Sequence, residues 1–154
     1  MPRRSAQLSL LALIAMVAAM LAGAAYGVGA GRSSDPGVKI KSAPSQFGKV
    51  LFSGSDRAIY YFDKELTPKP ECYGACATAW PPVLTNGKPE AAGRVKQGLL
   101  GTKKRSNGKR QVTYDGHPLY YYVDDPEGVV ACHNVDEFGG LWLAVKPSGR
   151  AVGE

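Results

Sequence analysis

QVTYDGHPLYYYVDD, residues 111–125, consists of two runs rich in β-branched and aromatic residues, joined by an Asp-Gly dipeptide. This composition is typical of β-strands. Asp115 and Gly116 suit the positive φ angles of a tight turn between antiparallel strands. The segment therefore predicts a β-hairpin.

A second segment, KVLFSGSDRAIYYFDKE at residues 49–65, has the same layout sixty residues earlier in the chain. The two align without a gap, and the matched positions include residues 59–62 with 119–122, Glu65 with Asp125, and Cys72 with Cys132. Such self-similarity predicts two copies of one structural unit, at about residues 48–87 and 108–150.

The strand that contains residues 119–123 has apolar or aromatic side chains on both of its faces, as alternate residues of a strand point to opposite sides. That pattern favours a strand covered on both sides. We therefore predict a mainly β protein, a small barrel- or sandwich-like single domain made of two tandem β-hairpin repeats. Its tyrosines are expected to pack in the core or between the copies, and the alternative is a row of tyrosines that faces a ligand.

The first thirty residues combine two arginines, an apolar run and a set of small residues, a pattern typical of a signal peptide. An uncleaved anchor is the alternative for residues 1–30. Residues 31–46 are rich in Ser, Pro, Gly and charge, and predict a flexible linker before a domain at residues 47–150. We expect a secreted protein, located outside the cytoplasm at the cell envelope.

Charge is distributed unevenly along the predicted domain. Residues 88–110 contain eight Lys or Arg and one acid, whereas residues 115–137 contain six acids and no Lys or Arg. Lys103, Lys104 and Arg105 are predicted to form a basic hairpin tip that contacts anionic lipid or cell-wall polymer. Nucleic acid is not an expected partner outside the cell, and membrane contact is expected only through the signal, an anchor or this tip.

Several segments carry a family resemblance: CYGACATAWPPVL (72–84), LLGTKKRSNGKRQVTYDGHPLYYY (99–122) and EFGGLW (137–142). With them the sequence resembles a bacterial family of secreted and lipoprotein repeats of unknown function that has a Tyr-x4-Asp motif. The motif is intact from Tyr120 to Asp125, and Glu65 replaces the acid in the copy that starts at Tyr60. The resemblance implies an extracytoplasmic location but no reaction. Since no cysteine precedes Cys72, it does not imply a lipid anchor.

The chain has three cysteines, Cys72, Cys76 and Cys132, so an exported protein would leave one of them unpaired. All three pairings are compatible with the sequence. A bridge to Cys132 would close the longest loop and stabilise most on the chain-entropy model, so we favour a bridge between the copies.

These features favour a protein that is not an enzyme and that acts by binding or structural interaction, without a cofactor, because no hydrolase or phosphate-loop motif occurs. Its partner is expected to be a cell-envelope component or another protein. The predicted binding residues are Tyr60, Glu65, Lys103, Lys104, Arg105, Tyr120 and Asp125. The alternative is an envelope redox or metal-binding protein, in which copper or another transition metal is held by His117, Cys132 and His133.

Overall fold

The computed structural model describes residues 35–154, which form one small, mainly β domain. Its strands are β1 Lys39–Ser45, β2 Gly48–Ser53, β3 Tyr60–Phe62, β4 Glu90–Ala92, β5 Leu100–Lys104, β6 Arg110–Tyr114, β7 His117–Pro118, β8 Val135–Glu137 and β9 Gly140–Ala144, with a short helix α1 at Ala75–Ala79 and a 3₁₀ turn at Gln97–Leu99. They form three sheets of three strands, in the orders β2-β1-β4, β3-β9-β8 and β5-β6-β7.

The predicted fold class is confirmed as a mainly β single domain, but in the described part of the chain no sheet closes into a barrel. No helix in residues 35–154 is long and apolar enough to cross a membrane. The predicted signal peptide, residues 1–30, lies outside the described residues. The predicted turn at Asp115 and Gly116 joins β6 to β7, and both residues have positive φ angles, 48° and 84°.

The predicted linker, residues 31–46, is wrong over its second half, because Lys39–Ser45 forms strand β1. This strand pairs antiparallel with β2 and parallel with β4, and Ile40 is fully buried. Within residues 35–46, Ile40 is the one fully buried side chain. The sequence of this segment therefore lacks the repeated apolar residues that would indicate a strand. Pro44 is tolerated because β4 pairs only with residues 39–41, so β1 has one neighbour at that point. The domain and the first copy therefore begin a strand earlier than predicted.

The two copies are joined at the centre of the domain by equivalent residues. Tyr60 donates its backbone N–H to the carbonyl of Tyr120, and Tyr120 returns the bond to Tyr60, both at 2.9 Å. On its other side, Tyr60 pairs with Ala144, while Tyr120 pairs with Pro82. The final segment of each copy, strand β9 in the second copy and the residues around Pro82 in the first, thus pairs with the middle of the other copy.

The same exchange continues outward from the centre. The N–H of Val112 donates to the carbonyl of Val83 at 2.8 Å, and the N–H of Leu51 donates to the carbonyl of Val145 at 2.8 Å. Because each copy is completed by a segment of the other, both of the buried hydrophobic clusters contain residues of both copies, and the copies do not stack as independent units.

Two tryptophans lie in one of these two clusters. Trp80 stacks on Trp142 with ring centroids 4.1 Å apart and planes 5° from parallel. Each also has a tyrosine edge against it, Tyr60 on Trp80 at 5.4 Å and Tyr120 on Trp142 at 5.2 Å. All four side chains are fully buried. The tyrosines of the repeat therefore pack in the core, as one of the two sequence interpretations predicted, and aromatic burial of this kind contributes strongly to stability.

Candidate functional site

The tyrosine and the acid of the repeat bind across the copies, not within them. The hydroxyl of Tyr60 donates to Oδ2 of Asp125, and the hydroxyl of Tyr120 donates to Oε1 of Glu65 at 2.6 Å. Each copy therefore supplies the donor for one pair and the acceptor for the other. Sequence reasoning selected these four residues but missed that they are exchanged.

The Glu65 carboxylate is enclosed, with 1% of the residue exposed. Besides the Tyr120 hydroxyl, its Oε1 accepts hydrogen bonds from the backbone N–H groups of Glu71 at 2.6 Å and Cys72 at 3.2 Å. Burial raises the pKa of Glu65, and these hydrogen bonds together with the nearby Arg105 oppose that rise. A group held in this way stabilises the surrounding loop and is not accessible to an external ligand.

Arg105 is buried, so its prediction as part of an exposed binding tip is wrong. Its guanidinium donates to the carbonyl of Cys72 at 2.6 Å and to the side-chain oxygen of Gln111, and it lies 4.2 Å above the Tyr73 ring. These partners replace water around part of the buried guanidinium, whose Nε has no hydrogen-bond partner among the described residues. Arg105 therefore connects the β5–β6 turn to the loop that carries Cys72.

The equivalent acid, Asp125, lies in a more open setting and is only half-buried. Burial raises its pKa, and the hydrogen bond from Tyr60 opposes the rise. Cys132 lies beside it and donates its backbone N–H to the Tyr60 hydroxyl at 3.3 Å. Burial and the neighbouring charge of Asp125 raise the pKa of the Cys132 thiol to about 11. The thiol is therefore protonated at neutral pH, whereas the thiolate is the nucleophilic form.

The disulfide joins Cys72 to Cys76, with Cα atoms 5.3 Å apart, and Cys132 is free. The predicted bridge between the copies is wrong. Helix α1 turns the chain immediately after Cys72 and brings Cys76 back next to it, whereas Cys132 lies beside Asp125.

The histidines of the metal alternative have other partners. His117 stacks on Tyr61 with ring centroids 4.4 Å apart, and Nδ1 of His133 accepts the N–H of Ala144 at 3.2 Å. In residues 35–154 no group of three or more His, Cys, Asp or Glu side chains is placed to hold a metal ion. The structure therefore does not bring His117 together with Cys132 and His133.

The remaining predicted residues, Lys103 and Lys104, are exposed on β5, which lies at the edge of its sheet. Lys109, just before the paired strand β6, and Arg110, its first residue, are exposed as well. We call these four residues the basic hairpin. The ion pair found within residues 35–154 is Lys41 with Asp56, at 2.7 Å, so in the described part of the chain no acid neutralises the basic hairpin.

Comparison with known protein families gives a match over the segment from β5 to just beyond β9. Residues 101–146 match a secreted repeat of unknown function. This match confirms the family resemblance over the second copy. The description of the family as secreted agrees with a location outside the cytoplasm. No curated protein matches the chain, and no solved structure does.

Proposed function

We propose that the chain is an exported, non-enzymatic module that binds an anionic component of the cell envelope through the basic hairpin. The observation that carries this proposal is the set of four exposed cations, Lys103, Lys104, Lys109 and Arg110, none of which forms an ion pair with an acid in the described residues. Unpaired cations clustered on one surface attract anions and accelerate their encounter with the protein.

The interior of the domain supports the non-enzymatic part of the proposal. The acids of the repeat accept hydrogen bonds from buried tyrosines, and burial raises the pKa of both Tyr60 and Tyr120 well above the ordinary value. These phenols therefore remain protonated and serve as hydrogen-bond donors. The thiol of Cys132 is likewise protonated, with its pKa raised to about 11. Groups of this kind stabilise a fold and are poor nucleophiles or bases at neutral pH.

The proposal separates Lys103 and Lys104 from Arg105, although the three are adjacent in sequence. Lys103 and Lys104 have exposed side chains, whereas Arg105 has its guanidinium bonded inside the domain. Reversing Arg105 would damage the fold, so the test uses the two lysines alone.

The experiment measures co-sedimentation of the purified protein with washed cell envelopes of its host. We expect Lys103→Glu/Lys104→Glu to reduce the bound fraction strongly at low salt. Binding of the original protein should weaken as salt rises, because salt screens exposed charges over about 10 Å at 0.1 M.

The matched control is Lys39→Glu/Lys49→Glu, which makes the same charge change at exposed positions of the β1–β2 hairpin, the counterpart of β5–β6 in the first copy. It should leave most of the binding intact. Equal losses from the two double variants would show that only net charge matters, and unchanged binding in both would refute the proposal.

A further inference from the structure

A cleft of about 230 Å³ lies beside the basic hairpin and is lined by Leu84, Thr85, Asn86, Lys109 and Arg110. Two cations thus stand at one small cavity, and its lining contains no carboxylate. A larger cavity of about 550 Å³ elsewhere in the domain is lined by two acids, Asp35 and Glu90, and one base, Lys88, so its charge favours an anion less.

The backbone around this cleft is fixed before any ligand arrives. The N–H of Thr85 donates to the carbonyl of Arg110 at 3.0 Å, so the two walls of the cleft are joined directly. The hydroxyl of Thr85 donates to the carbonyl of Gly87 at 2.8 Å. On the hairpin side, the N–H of Lys109 donates to the side-chain oxygen of Asn107 at 3.2 Å. Binding in a fixed site loses less conformational entropy.

We propose that this cleft binds the phosphate of a phosphodiester, with Arg110 and Lys109 on its oxygens and Leu84 against its flanking carbons. A guanidinium matches two phosphate oxygens, and a lysine adds a second charge. Asn86 supplies a neutral amide at the same cleft. Because Asn86, Lys109 and Arg110 are exposed, the cleft is open to solvent, and a polymer of phosphodiesters can continue past it.

This inference rests on the proposed function and names the site and the ligand chemistry within it. It also assigns different roles to the four cations. Lys109 and Arg110 hold the phosphate in the cleft, while Lys103 and Lys104, which do not line it, attract the anion from the edge strand.

The test is a titration of the ¹⁵N-labelled protein with glycerophosphoglycerol, a small phosphodiester, followed by amide chemical shifts. We expect saturable shifts centred on Asn86, Lys109 and Arg110, and none of comparable size with acetate or glycerol. Lys109→Gln/Arg110→Gln should weaken the affinity about tenfold or more, because it removes charge-assisted hydrogen bonds. Lys109→Arg/Arg110→Lys, which keeps both charges, should retain binding within a few-fold.

The matched control is Lys103→Gln/Lys104→Gln, which removes the same charge outside the cleft and should change the affinity for this small probe less than threefold, on the order of surface charge effects. The inference is overturned if no shift saturates, if acetate gives the same shifts, or if the two Gln double variants weaken binding equally. The spectra of the variants report whether each remains folded.

Two polymeric probes then distinguish the sources of the phosphate. Polyglycerol phosphate and vesicles containing phosphatidylglycerol each carry the diester, and binding of either that depends on Lys109 and Arg110 supports the cleft. If envelope binding depends on Lys103 and Lys104 but the small diester does not bind, the cleft is wrong and the proposed function stands. If the diester binds but the envelope does not, the proposed function fails and the cleft stands.

Discussion

The acid of each copy accepts a hydrogen bond from the tyrosine of the other copy, but the two acids lie in different surroundings. Glu65 is enclosed, accepts three hydrogen bonds and has Arg105 nearby. Asp125 is half-buried and lies beside a free thiol. The interaction with the tyrosine of the other copy is present at both positions, while the surrounding groups differ. The paired tyrosine is thus the common requirement, and the remaining contacts are particular to each copy.

This comparison also gives a physical reason for the spacing within the repeat. In both copies the chain turns between the tyrosine and the acid, at residues 63–64 and 123–124, so the two residues of one copy do not lie on a single extended strand. They do not meet each other, but the reciprocal pairing of Tyr60 with Tyr120 brings each acid to the tyrosine of the other copy. The spacing suits a contact between copies.

The largest expected effect comes from removing the enclosed acid. Glu65→Ala leaves the Tyr120 hydroxyl and two backbone N–H groups without their acceptor, and each buried unpaired group costs about 1–3 kcal/mol. We expect the free energy of unfolding in urea to fall by about 3 kcal/mol or more. Asp125→Ala should cost about 1–2 kcal/mol, because water reaches this site. Equal losses would show that the two settings do not differ in energy.

The next effect concerns the cysteines. Cys72 and Cys132 occupy equivalent positions of the two copies, but Cys72 forms a disulfide and Cys132 is free. Cys72→Ser/Cys76→Ser opens a loop of few residues and is expected to lower the free energy of unfolding by roughly 2 kcal/mol on the chain-entropy model. Cys132→Ser should change it by no more than about 1 kcal/mol, because the half-buried thiol closes no cross-link. Thermal unfolding with and without reductant checks both values. A larger loss from Cys132→Ser would mean that the thiol is a major part of the core.

A smaller effect is expected in the reactivity of the free thiol. With its pKa raised to about 11, Cys132 should react with iodoacetamide at pH 8 on the order of tenfold or more slowly than a small exposed thiol. Asp125→Asn removes a neighbouring charge and should accelerate the reaction. The rate is followed by intact mass in native buffer. If Asp125→Asn leaves it unchanged, the carboxylate does not control the thiol.

The last expected effect, spread gradually over a range of pH, is on the pH dependence of stability. Burial raises the pKa of both Glu65 and Asp125, so the folded protein binds their protons more tightly than the unfolded chain. The resulting stabilisation is complete below the unfolded pKa values, near about 4, and is lost as pH rises through the folded values. The free energy of unfolding should therefore decrease in this window by at most about 1.4 kcal/mol per proton and pH unit.

Glu65→Gln isolates the contribution of one carboxyl group. Between pH 4 and pH 7, the unfolding free energy of the original protein minus that of this variant should become less positive or more negative as the pH rises. The series is measured by urea unfolding at fixed ionic strength, with Glu127→Gln, an exposed acid, as the control. A difference that grows with pH would mean that the pKa of Glu65 is lowered rather than raised.

Local chemistry made part of this structure predictable. Strand-forming composition and the Asp-Gly turn identified β6 and the turn after it, but the second strand, predicted over residues 119–123, is limited to His117–Pro118. Burial was predicted correctly for Tyr60 and Tyr120, whereas Tyr121 and Tyr122 are half-buried and Val123 is exposed. The self-alignment of the chain selected Tyr60, Glu65, Tyr120 and Asp125 as residues with a shared role. These features depend on periodicity and composition, which are present in the sequence itself.

The errors concern partners that lie far apart in the chain. Arg105 stands within a run of exposed basic residues, and only the distant carbonyl of Cys72 accounts for its burial. Strand β1 has few apolar residues, and its pairing with β4 is not a local property. The disulfide depends on the turn made by helix α1. This helix has five residues, too few for a periodic apolar pattern to predict it from the sequence.

The exchange of final segments between the copies has a consequence for the order in which the domain forms. Tyr60 pairs with Ala144, so the middle of the first copy is completed only when nearly the whole chain is present. Contacts between such distant segments slow folding, because a long loop must close before the contacts stabilise it. A chain that emerges from its N-terminus, from a ribosome or through a membrane pore, thus stays incompletely folded until β9 has emerged.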